Sequence, residues 1–117
     1  MSPSGVEYLR HILDEADFIS ESIGGRTREA FLADEVLKRA VVRSLEIIGE
    51  AAKHVPDSIR SGSPGIEWRA MAGIRDRLIH DYFGVDYDIV WDVAVRKVPE
   101  LLAEIRGLVK QYGDSPD

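Results

Sequence analysis

The chain has 117 residues, 44% of them hydrophobic, no cysteine and a formal net charge of −6. That length suits one domain spanning 1–117 with an ordered core from about 4 to 112. The missing cysteines exclude a disulfide framework or a thiolate metal site, and no apolar run is long enough for a leader or a bilayer span, so a soluble cytoplasmic protein without a membrane partner is expected. An acidic chain repels phosphate backbones at long range; this argues against sequence-blind coating of nucleic acid and restricts any such contact to a local basic cleft, while a basic protein partner stays compatible with the sign.

Apolar residues recur at helical spacing throughout, and no segment alternates as a strand would. Ser4 and Glu7 form a capping box, followed by a stripe of Leu9, Ile12, Leu13, Ala16, Ile19 and Ile23 that Gly24-Gly25 stops. A second helix is predicted from about Arg28 to Lys53, with Phe31, Leu37, Val41, Leu45, Ile48 and Ala52 buried. Gly49 lies inside it, either because another backbone approaches closely or as a tolerated weak spot. Residues 54–65, HVPDSIRSGSPG, read as punctuation with room for one helical turn around Asp57 to Arg60. A third helix is expected from near Ile66 to between Asp81 and Gly84, with Trp68, Met71, Ile74 and Leu78 inward. Asp86 or Asp88 caps a fourth, whose stripe is Ala94, Val98, Leu101, Ile105, Leu108 and Tyr112. Pro99 interrupts that stripe and predicts a kink near Val95. The fold expected is all-α: an antiparallel bundle of four to five helices whose leftover apolar faces meet a second copy in a homodimer.

Chemistry concentrates in RDRLIHDYF, residues 75–83. His11 reads as a surface residue, and His54 as a helix C-terminal cation or donor. His80 allows the same reading as His54, but has different company. On a continuous helix Asp76 and His80 are i and i+4, so the carboxylate can hold one imidazole nitrogen and set the tautomer for acid–base work. Arg77 is adjacent to His80 at i−3 and is a candidate substrate-binding residue. Arg75, five residues back, does not fall straight onto His80; a bent side chain, an unwound helix end, or a two-fold mate facing it across a groove would each bring them together. Such a groove suits phosphodiester cleavage. Arginine offers a planar fork to phosphate oxygens, histidine moves the protons, and a ribose 2′-OH is an internal nucleophile. No metal or other cofactor is implied, since the histidines and carboxylates lack metal-ligand spacing. Tyr82, read from its surroundings alone, is a phenol at a helix end packing on Phe83 and the next helix. Tyr87 is a weaker second phenol, Trp68 and Trp91 are core or interface anchors, and Arg69, Arg96 and Lys97 either extend the groove or are solvated.

Taken together, LRHILDEADFI at 9–19, FLADEVLKRAVVRSLEIIGEAAKHVP at 31–56, Trp68, GIRDRLIHDYFGVDYDIVW at 73–91 and VPELL at 98–102 resemble the HepT-like toxins of the HEPN superfamily over roughly residues 6–110. The resemblance implies a dimerising helical bundle and a metal-independent endoribonuclease, the toxin of a toxin–antitoxin pair, with its site in the dimer groove. It assigns the motif arginine to Arg75, the histidine to His80 and the tyrosine to Tyr82. It also implies an MNT-type nucleotidyltransferase antitoxin that silences the enzyme by transferring AMP to Tyr82. The residue after the motif arginine, commonly asparagine in the superfamily, is Asp76 here; a carboxylate suits orienting His80 better than binding phosphate. The rival expectation is a non-catalytic helical module that docks a nucleotidyltransferase and presents a nucleotide or tyrosine to it.

Overall fold

The computed structural model describes residues 4–79 and 84–113. Helix α1, Gly5–Ile23, starts where the Ser4 hydroxyl accepts the Glu7 N–H at 3.3 Å, and its stripe of Leu9, Ile12, Ala16, Ile19 and Ile23 is buried. It stops where Gly25 takes a φ of 76°, a left-handed backbone that only glycine adopts without strain.

The long helix predicted from Arg28 is two helices. Helix α2, Arg28–Ala33, and helix α3, Glu35–His54, meet at Asp34, whose extended backbone closes the first while its carboxylate accepts the Leu37 N–H at 2.9 Å to cap the second. The break turns the chain so that Phe31 of α2 and Leu37, Val41, Leu45 and Ile48 of α3 all reach one core. A single helical turn, α4, forms at Asp57–Arg60 as expected.

The predicted third helix is also divided. Helix α5, Trp68–Ala72, ends at Gly73, and helix α6, Ile74–Leu78, begins there. Gly49 of α3 explains where this step sits. A Cβ at Gly49 would lie 2.8 Å from the Met71 carbonyl oxygen and 3.0 Å from Ile74 Cγ2, so the α5–α6 backbone presses directly onto α3. Of the two readings of Gly49, the close approach holds.

Helix α7, Tyr87–Asp92, is capped by the Asp86 carboxylate, which accepts the Asp88 and Ile89 N–H groups at 3.1 and 3.2 Å. It continues through a π-helical turn, Val93–Lys97, into helix α8, Val98–Gly113. Within the turn the Val98 N–H reaches the Val93 carbonyl, five residues back. The irregularity expected near Val95 is therefore a π turn: Pro99 offers no N–H to the Val95 carbonyl and its ring crowds that oxygen, which a wider turn relieves.

Two contacts at opposite ends of α1 define the bundle. Tyr8 stacks on His54, the last residue of α3, with ring centroids 5.0 Å apart. Arg106 of α8 meets Asp17 at 3.3 Å, while Gly113, a further two turns along, lies against Val6 and Arg10. Helix α1 thus runs antiparallel to both α3 and α8. Leu9, Ile12, Ile19, Phe31, Val41, Leu78 and Ile105 are fully buried at the centre. Each such side chain contributes about 1.5–3 kcal/mol relative to exposure. Among the described residues the only extended pairing is one antiparallel bridge between Ile79 and Val85, and no helix is long and apolar enough to cross a membrane.

Candidate active site

Helix α6 carries the arginines of the motif. It begins at the contact with α3 and ends on Leu78, which is fully buried. A core residue therefore fixes the point from which the rest of the motif leaves. Ile79 is extended (φ −109°, ψ 120°) and bridges to Val85, while the Asp86 N–H donates to the Leu78 carbonyl at 2.8 Å. The flanks of residues 80–83 are held together at the junction of α6 and α7. His80 and Tyr82 themselves lie outside the described residues.

This ending corrects the sequence geometry for Asp76. An i, i+4 relation with His80 needs helix through position 80, and the helix stops at Leu78. Instead of continuing the helix, the β-branched Ile79 takes up the bridge with Val85, six residues on, which a further helical turn would forbid. Asp76 is exposed, and among the described residues its side chain makes no ion pair or hydrogen bond.

Arg75 and Arg77 point in different directions, because two residues on a helix stand about 200° apart. The Arg75 side chain is 73% exposed and its Nε lies 3.6 Å from Oε2 of Glu46, on α3. Arg77 instead borders a groove of about 230 Å³. Leu45, Ile48, Met71, Ile74 and Leu101 floor this groove, and Lys97, Glu67, Glu100 and Glu104 share its edge with Arg77. Lys97 and Glu67 approach to 3.9 Å across it.

On the other side of α3 a depression of about 210 Å³ opens between α1 and α3. Tyr8, His11, Arg43, Glu46, Glu50 and His54 line it. The Tyr8 ring is stacked on His54 and stands edge-on to His11, with centroids 6.3 Å apart. His54 also approaches Glu50 at 4.0 Å, in keeping with its helix-end reading. Tyr87 is half-buried with the Lys38 ammonium 4.6 Å from its ring centroid. Trp68 is buried and donates its indole N–H to the Ser63 carbonyl at 3.1 Å, and Trp91 packs on Phe31 with centroids 5.2 Å apart, so both tryptophans are anchors. Among the described residues no group of three or more histidine, aspartate or glutamate side chains is arranged to hold a metal ion.

The sequence reading missed Glu46. Nothing local marks it; it is one more charged residue on an amphipathic helix. The single signal was Gly49, one turn later on the same face, where a neighbouring backbone was expected to come close.

The family model described as "Ribonuclease HepT-like" matches residues 12–108. A protein of Caldanaerobacter subterraneus subsp. tengcongensis named "Putative RNase" is 45% identical over 104 residues, covering 89% of this chain and 93% of that one. A Methanocaldococcus jannaschii protein with the same designation is 41% identical over 103 residues, 88% of this chain and 85% of that one. The "Probable ribonuclease HepT" of Thermococcus cleftensis is 40% identical over 110 residues, 94% of this chain and 100% of that one. No solved structure matches the chain. With a family model matched over most of its length, and with relatives of this identity spanning nearly their whole chains, the protein belongs to the HepT-like ribonuclease family.

Proposed function

We propose that the protein is a metal-independent endoribonuclease, the toxin of a toxin–antitoxin pair, active as a homodimer. The observation that carries this reading is Arg75: an exposed guanidinium on a short helix rooted in the core, within a chain of the HepT-like family. Arg75 binds the scissile phosphate and stabilises the charge that builds on it. His80 accepts the proton of the ribose 2′-OH as that oxygen attacks phosphorus. The P–O5′ bond breaks, the leaving 5′ oxygen takes a proton from a second acid, the His80 of the other copy, and a 2′,3′-cyclic phosphate remains. Asp76 orients His80 across the unwound end of α6, and Arg77 contributes to substrate binding. The half-buried Met71 and Leu101 in the groove beside Arg77 favour pairing with a second copy, which would shield them. Tyr82 borders the RNA site and is the acceptor for AMP from an MNT-type nucleotidyltransferase; AMP there places a phosphate and a base where RNA would lie.

The test is cleavage of cellular RNA in EDTA by the wild type, Arg75→Ala and His80→Ala, each checked for folding and dimerisation. The expected outcome is a loss of at least about 100-fold in either variant, the scale for removing a charge stabiliser or a general acid–base. Equal activity in all three would identify a contaminant. The net charge of −6 favours a second reading, a non-catalytic module that docks the nucleotidyltransferase; wild-type protein that leaves RNA intact but accepts AMP would establish it.

A further inference from the structure

We infer that Glu46 is a positioning residue for Arg75, and that Gly49 sets the spacing that lets the two meet; the inference rests on the ribonuclease reading. Three observations place the pair. Glu46 and Gly49 lie three residues apart on one face of α3. The α5–α6 step sits on that face, closely enough that a Cβ at Gly49 would come within 2.8 Å of a backbone oxygen and 3.0 Å of Ile74, the residue before Arg75. Finally, Arg75 Nε stands 3.6 Å from the Glu46 carboxylate.

The two side chains are unequal. Glu46 is 27% exposed and belongs to a 20-residue helix that packs against α1 and α5, whereas Arg75 is 73% exposed on a helix of five residues. Glu46 is therefore the fixed member, and Arg75 the one whose freedom is restricted. Left alone, an exposed arginine samples many rotamers, and binding a phosphate must remove that freedom. The carboxylate faces Nε. With its side chain 73% exposed, Arg75 stays accessible to two phosphate oxygens. A separation of 3.6 Å is an ion-pair contact rather than a short hydrogen bond, so Arg75 keeps room to adjust as charge develops on the phosphate.

Glu46 also brings a negative charge near an anionic substrate. The guanidinium lies between the two, and its positive charge, nearer to each anion than they are to one another, offsets the repulsion. Ordering of Arg75 thus outweighs repulsion, and Glu46 acts as a support rather than a brake.

The experiment compares Glu46→Gln with wild type by steady-state cleavage of a short RNA and by nitrogen-15 relaxation of the Arg75 Nε–H group, assigned with Arg75→Lys. Glu46→Gln is expected to lower kcat about tenfold with KM changed less than about threefold, as for loss of an interaction realised in the transition state. Glu46→Asp, which keeps the charge, should recover part of the rate. The double variant Arg75→Ala/Glu46→Gln should be no slower than Arg75→Ala, because Glu46 acts only through that side chain. The Nε–H group should be ordered in the wild type and mobile in Glu46→Gln. Unchanged or faster cleavage by Glu46→Gln, additive losses in the double variant, or equal Nε–H mobility in both proteins would overturn the inference. If Glu46→Gln fails to fold, the relaxation of Arg75 in Glu46→Asp decides: wild-type-like order supports the seat and full mobility overturns it. A wild type that does not cleave RNA, but whose Arg75 is ordered and released by Glu46→Gln, would sink the ribonuclease reading while retaining Glu46 as the residue that fixes Arg75.

Discussion

At the scale of single residues, the proposed function gives Tyr82 a part in regulation rather than chemistry, so Tyr82→Phe should cleave RNA within about threefold of wild type while incorporating no AMP, because only the phenol oxygen is the nucleophile. Radiolabelled AMP transfer beside an RNA cleavage assay measures both. Glu35, in the first turn of α3, has its carboxyl held below the ordinary 4.5 mainly by the hydrogen bond that the Lys38 ammonium donates, with further help from the Lys38 and Arg39 charges against burial and Asp34. Its folded value is depressed, so its contribution to stability is fully present above the unfolded value and fades as pH falls through the folded one. Thermal melts should show wild type above Glu35→Gln at pH 6, with the two curves converging as pH falls through and below the ordinary carboxylate range. Some of this scale was legible beforehand. The Ser4 cap follows from local pattern alone, and the Asp86 cap was one of two candidates, because a cap is satisfied within its own turn. The partner of Arg75 was not, because Glu46 is 29 residues away in sequence and only packing brings it near.

At the scale of elements, α3 is the reference on which the others are set. Gly49→Ala should destabilise the protein by about 1–3 kcal/mol in chemical denaturation, since the added methyl meets a backbone oxygen that cannot swing aside. Asp34→Ala should cost about 1 kcal/mol through loss of the cap on Leu37. Periodicity located all four long apolar stripes, yet it merged α2 with α3 and α5 with α6. Asp34 and Gly73 each break a helix without breaking its rhythm: the stripe resumes in phase, and a pattern count sees one helix. Pro99 was easier to read, because a missing N–H acts on the same helix four residues earlier. A proline alone does not distinguish a π turn from a plain bend, and here the Val98 N–H reaches the Val93 carbonyl.

At the scale of the whole molecule, the acidic surface limits how RNA is held. With a net charge of −6 and only a few arginines near the motif, the protein should contact about two or three phosphates. The logarithm of its affinity for a non-cleavable single-stranded RNA should then fall with the logarithm of salt at a slope no steeper than about −2. Filter binding between 50 and 300 mM salt, about a sixfold range, measures it; a much steeper slope would mean a basic track that these side chains do not provide. By itself the sequence determined the all-α class, the caps, the core stripes and the resemblance that names the family, because each is written in short-range order or in the identity of residues at set spacings. Only the tertiary structure decided that α6 ends on a buried leucine, that Arg75 and Arg77 face opposite sides of α3, and that a glutamate from a different helix stands behind the motif arginine. The last of these depends on how closely two backbones approach at Gly49, a distance set by packing between segments far apart in the chain.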